Sequence, residues 1–185
     1  MHDFIDQAAK NGVELLNKGI CQFCGADYQR GIFECMENYN NGFVNFDLND
    51  SKYHVYRFLS VDAHALQHPE IHGLWSNHFH LTRLNLILYK NQTWDYHTSP
   101  LLSDYLNRYK SNKTNEFLKF PESLNRGKIT AKDLIKAITV TECSQLILKW
   151  ADEVYHSWNS NHGTVSQIAD NFLEYYNNEK SKGRK

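Results

Sequence analysis

Apolar residues in this chain recur at steps of three and four, while the two-residue alternation of a half-buried strand is scarce. That period confines the fold to packed helices. The clearest stripe is Ile147, Trp150, Ala151, Val154 and Trp158, and Val165, Ile168, Ala169, Phe172, Leu173 and Tyr176 form a second. Thr130 with Asp133, and Thr164 with Gln167, have the spacing of a capping box and mark helix starts. Ser99 followed by Pro100 reads as N-cap and first helical position of "LLSDYLNRYK". "KYHVYRFLSVDAHALQH" (52–68) ends near Pro69, because proline disfavours helical geometry in the residue before it. "LWSNHFHLTRLNLILYKN" (74–91) is another helix, and residues 1–16 and 27–39 supply two more. The pattern predicts an all-α, single-domain bundle of about seven helices over 1–180. An N-terminal helix and a Cys-x-x-Cys knuckle occupy 1–40 and the bundle 41–180. Residues 40–50 and 111–128 read as loops, and 181–185 as a flexible tail.

The chain of 185 residues is 41% hydrophobic and 22% charged, a globular composition with room for a full core. Its formal net charge of -1 gives no support to a nucleic-acid partner, which would ask for a basic surplus. "MHDFIDQAAKNGVELL" lacks the basic and apolar blocks of a signal peptide. The longest apolar run, "LNLILY", is far too short to span a bilayer. A cytoplasmic protein with no membrane role is the expectation, and a reducing compartment argues against structural disulfides.

Three of the four cysteines lie within "CQFCGADYQRGIFEC" (21–35). Cysteines separated by two residues can both face one ion, and a glycine such as Gly25 commonly follows the second in such knuckles. Cys35 is near enough in sequence to be a third ligand, and zinc in a structural site takes four. A redox couple is a second reading, but that motif belongs at a helix start within a βαβ unit, and no strands flank it here. Three small buried residues are the third reading. Cys143 reads as a buried free thiol.

Ten histidines are many for this length. His64 and His68 stand one helical turn apart, a spacing that can chelate. His80 shares a stripe with Leu84 and Ile87, and His162 sits at the mouth of the last helix. Asp62 falls on the stripe of Val55, Leu59 and Leu66, where a carboxylate is costly unless paired or coordinating. Any one of these is readily explained as a satisfied core residue. Together they are the kind of inward-facing set from which bundles build metal sites.

"VDAHALQHPE" (61–70), "HL" at 80–81, "GKITAKDLIKAI" (127–138) and "WADEVYHSWNSNHGTV" (150–165), with the early C-x-x-C-G, occur in this order across nearly the whole chain. The ordered set resembles a bacterial family known as domain of unknown function 5946. The resemblance marks Cys21, Cys24, Cys35, Asp62, Gln67, His68, Pro69, His80, Trp158 and His162. The chain departs from that pattern at Gln22–Phe23, where the family has Pro-Gly, at His64 in place of Tyr, and at Asn161 in place of one of two late histidines. The family has no assigned activity, so the resemblance implies none.

Two functional readings follow. In the first, Cys21, Cys24 and Cys35 close a structural zinc site with His68, which ends a helix at a proline and can face the knuckle. The protein is then a binding or scaffold module. In the second, His68, His80 and His162, backed by Asp62, hold a metal with an open position. The protein is then a hydrolase or transferase acting on a small molecule. No Gly-rich phosphate loop, G-x-S-x-G or H-E-x-x-H motif is present. The first reading ranks ahead.

Overall fold

A computed structural model describes residues 3–42, 46, 48, 50–112 and 117–182. They form eight α-helices: α1 (Asp3–Lys10), α2 (Gly31–Asn41), α3 (His54–Gln67), α4 (Ser76–Leu84), α5 (Thr98–Asn112), α6 (Ala131–Leu134), α7 (Val140–Ser157) and α8 (His162–Lys182). Among the described residues there is no strand, only one isolated bridge between Gly19 and Arg30. The all-α expectation holds.

The first apolar stripe is the axis of the molecule. Ile147, Trp150, Ala151, Val154 and Trp158 are all fully buried, and they pack against Leu59, Ala63 and Leu66 of α3 and Leu81 and Leu84 of α4. Val165 of the second stripe joins this core. Ile168, Ala169 and Phe172 face a second cluster with Leu102 and Leu106 of α5. A third core belongs to the N-terminal segment, where Phe4, Ala8, Phe23 and Ile32 surround the three cysteines.

Helix boundaries depart from the sequence reading where local chemistry is more particular than spacing. The Thr130–Asp133 capping box forms, but α6 runs for only four residues. An unforeseen box, Thr139 with Glu142, opens α7. Helix α8 starts at His162, so Thr164 lies inside it rather than at its cap. Helix α5 starts at Thr98 rather than after Ser99, because the Asp95 carboxylate accepts the amides of His97 and Thr98 and the Thr98 hydroxyl. These bonds hold the Asp95 carboxyl below its ordinary pKa, the Thr98 hydroxyl contributing most. Helix α4 continues as a π-helical turn over Asn85–Tyr89. Helix α1 is half the length expected, and α2 begins four residues later than expected. Parts of both predicted loops, and residues 183–185 of the tail, lie outside the described residues. Cys143 is buried and free, and burial raises its thiol to about 11.

Candidate metal centre

The knuckle is a backbone construction. The Cys21 amide donates to Ala26 O at 2.8 Å, and the Gly25 amide donates to Cys21 O at 2.9 Å. Both bonds close a tight turn around Cys21–Cys24. Gly25 has φ +76°, in the left-handed region that favours glycine. The two strands of the loop are then tied at its mouth, Gly19 N to Gln29 O at 2.9 Å and Gly31 N to Gly19 O at 3.0 Å. Helix α2 starts immediately after this tie, which turns Ile32 and Cys35 inward, both fully buried.

Gly31 has no latitude. Its φ is +52°, and a Cβ there would lie 2.4 Å from the Leu16 carbonyl oxygen. Left-handed backbone alone costs a non-glycine residue about 1–2 kcal/mol. Gly31→Ala is therefore expected to lower stability by at least about 2 kcal/mol, visible as a fall of roughly 4–8 °C in a thermal melt. An unchanged melting temperature would show that the knuckle has more freedom than its bonds imply.

The other side of the site is the C-terminal end of α3. A helix ends with carbonyls that its own backbone leaves unsatisfied, and here each of the last ones has a partner from elsewhere. His64 O accepts from His68 Nδ1 at 2.7 Å, and Ala65 O accepts from the His68 amide at 3.1 Å. Leu66 O accepts from Trp158 Nε1 at 3.2 Å, and Gln67 O accepts from Arg126 Nη1 at 3.1 Å. Gln67 Nε2 in turn donates to the carbonyls of Arg126 and Ile129. Arg126 is fixed by a bidentate pair with Glu70 at 2.8 and 2.5 Å. His68 is thus held by its backbone and by Nδ1. With Nδ1 committed to the His64 carbonyl, Nε2 faces away from α3 and toward the knuckle.

Four donor atoms meet there. His68 Nε2 lies 3.6 Å from Cys21 Sγ and 3.5 Å from Cys35 Sγ, and Cys24 Sγ lies 3.7 Å from Cys35 Sγ. All four are within 4.8 Å of one another, and all four residues are buried. Two thiolates on one tetrahedral zinc stand about 3.8 Å apart, and a thiolate and an imidazole nitrogen about 3.6 Å apart. The donor set and its spacings fit a metal ion of that kind. Charge behaves accordingly. Hydrogen bonds with Cys24 and Cys35 hold the Cys21 thiol far below its ordinary pKa, and Cys35, bonded to Cys21 and Cys24, is driven up. Burial works to lower His68, but the thiolate charge of Cys24, with hydrogen bonds to Cys21 and Cys24, lifts it to about 10. The cluster keeps thiolate character in a buried place.

Residues 19–159 match the family of unknown function DUF5946. That is more than half of the chain. The chain belongs to this family. No curated protein and no solved structure matches it. Within this DUF5946 chain the matched segment contains all four clustered residues and the two α3 residues, Gln67 and Asp62, that the resemblance also marked.

Of the six residues read from sequence as metal ligands, four converge and two do not. His80 Nδ1 donates to Asp62 Oδ1 at 2.7 Å. His162 Nε2 donates to Tyr155 O at 2.9 Å, with its ring stacked on the Tyr155 ring. Among the described residues, the four-residue cluster is the one group placed to hold an ion, so His68, His80 and His162 do not form a shared site. His64, one turn from His68, stacks between Tyr39 and His68, and burial drives it well below its ordinary pKa.

Three participants escaped the sequence reading. Arg83 donates to both oxygens of the fully buried Asp62, Nε at 2.8 Å and Nη2 at 2.6 Å. Arg126 pins the end of α3. Tyr28 packs beside the cysteines with its hydroxyl buried and unpartnered among the described residues, and burial together with the thiolates raises its pKa. A lone arginine or tyrosine carries no spacing signal, so only the fold could find them.

Proposed function

We propose that this protein is a zinc-binding helical domain in which Cys21, Cys24, Cys35 and His68 hold one structural ion, and that it acts as a binding or scaffold module. The observation that carries this reading is the convergence of three buried thiols and the Nε2 of a histidine already fixed through Nδ1. Mixed thiolate and imidazole donors at tetrahedral spacings favour zinc over the harder divalent cations. Four protein ligands close the coordination sphere and leave no place for a reacting water, which favours a structural over a catalytic ion. Such an ion ties residues 19–35 to the end of α3. Four free thiols suit a reducing compartment, and we place the protein in the cytoplasm on that ground. No described helix is long and apolar enough to cross a membrane.

The deciding experiment is elemental analysis of untagged protein by inductively coupled plasma mass spectrometry, repeated on Cys24→Ser, His80→Ala and His162→Ala. About one zinc per chain is expected in the parent and in both histidine variants, with loss in Cys24→Ser. Thiol ligands must be deprotonated to bind, so acidification should release the metal. Zinc retained in Cys24→Ser and lost in His80→Ala would reverse the assignment and revive the hydrolase or transferase reading.

A further inference from the structure

The three thiols of the cluster are not sealed equally. Cys21, Cys35 and His68 are fully buried, whereas Cys24 keeps 7% of its surface exposed. That surface belongs to a cavity of about 380 Å³, which Cys24 lines together with Gly25, Leu124, Gly127 and Thr130. Cys21, Cys35 and His68 are not among its walls. A water molecule's share of the liquid is about 30 Å³, so a molecule as small as hydrogen peroxide has room beside Cys24. On the inner side, Cys24 Sγ lies 3.7 Å from Cys35 Sγ. That separation is about 1.7 Å more than an S–S bond.

A sulfur reached from a cavity, with a second sulfur directly behind it, has the arrangement of an attacking and a resolving cysteine. We propose that Cys24 is a site of oxidation by hydroperoxides, that Cys35 resolves it, and that the resulting disulfide expels the ion. Release of the ion rests on the structural-zinc reading, and the oxidation site does not. Cysteines that ligate a metal are already thiolates. In the first step the Cys24 sulfur attacks one peroxide oxygen, the O–O bond breaks and hydroxide leaves. Cys24 loses two electrons and becomes a sulfenic acid, and the peroxide gains them. Cys35 Sγ then attacks Cys24 Sγ, the S–S bond forms, the S–O bond breaks and a second hydroxide leaves. Cys21 and His68 alone cannot close a tetrahedral sphere, so the knuckle loses its tie to α3.

Trypsin separates the possible products, because it cuts after Lys18, Arg30 and Lys52. Cys21 and Cys24 then fall in one peptide, 19–30, and Cys35 in another, 31–52. The full chain is treated with near-stoichiometric hydrogen peroxide, its remaining thiols are alkylated in denaturant, and the digest is mapped by tandem mass spectrometry. A colorimetric chelator reports the zinc set free. Peptides 19–30 and 31–52 are expected to be joined through Cys24 and Cys35, with Cys21 and Cys143 still alkylated. About one zinc should be freed per disulfide, and dithiothreitol with added zinc should restore the closed site. The same link formed in protein that never held zinc would support the oxidation site and sink the zinc reading. A bond inside peptide 19–30, a link through Cys21, oxidation of Cys143 as fast as Cys24, or thiols that stay reduced in millimolar peroxide would each overturn the proposal.

Discussion

Replacing Cys35 with serine, or chelating the proposed ion, should unfold the N-terminal segment around residues 19–36 and leave the rest standing. The N-terminal segment packs in a core of its own, where Phe4, Ala8, Phe23, Ala26, Tyr28 and Ile32, with Ile71 from beyond α3, surround the cysteines. The clusters around Trp150 and Phe172 share none of those residues. Structural zinc in peptides contributes apparent folding free energies of about 10–16 kcal/mol. That is as much as the whole of this apolar core supplies at about 1.5–3 kcal/mol per large side chain. Without an ion the segment loses much of what holds it. Hydrogen exchange followed by mass spectrometry should therefore show amides of residues 19–36 losing protection in Cys35→Ser while α3 and α7 keep theirs. The first melting transition should fall by 10 °C or more, at roughly 2–4 °C per kcal/mol for a chain of this size. Full protection after chelation would mean that packing alone holds the knuckle, and the structural role of an ion would have to be abandoned.

Asp62→Asn should be the most damaging single change outside the cluster. Asp62 is fully buried, and it accepts two bonds from Arg83 and one from His80. Arg83 is itself buried, lying 5.0 Å from the Phe58 ring centre and 4.7 Å from that of Phe79. Removing the carboxylate charge strands a guanidinium in that apolar setting, at a cost of about 3–5 kcal/mol. Replacing both partners with apolar residues of like volume, Asp62→Leu with Arg83→Met, should recover most of the loss. Urea unfolding midpoints of the two variants decide the matter. Zinc content should be the same in both, which separates this network from the metal centre. A midpoint in Asp62→Asn equal to the parent's would show that Arg83 finds other partners.

What could be read from the chain depended on whether a signal was periodic or pairwise. Trp150 and Trp158 were legible as core because burial repeats along a helix, and Asp62 was legible as buried for the same reason. The three cysteines were legible because thiols close together in sequence have few other uses. His68 was legible as the distant member of the cluster, since Pro69 ends α3 there and frees the side chain to leave the helix axis. Partners were not legible. His80 and His162 occupy inward positions, but burial alone does not say whether a ring meets a metal, a carboxylate or a carbonyl. Arg83 went unread in the sequence, because nothing in its neighbours announces that Asp62, 21 residues earlier, lies opposite. Thr164 misled for a related reason: a cap needs the right backbone geometry as well as the right spacing, and α8 had already begun at His162.

The span between the clustered residues also bears on how the protein is made. Cys35 and His68 are 33 residues apart, so the three thiols leave the ribosome before the imidazole that completes their set. At ordinary synthesis rates that interval lasts roughly two to seven seconds. During it the nascent chain presents three reactive sulfurs with no fourth donor, open to oxidants and to competing soft metals. The order of the residues along the chain therefore exposes three sulfurs of the newborn protein to a chemical hazard that the finished fold confines to Cys24.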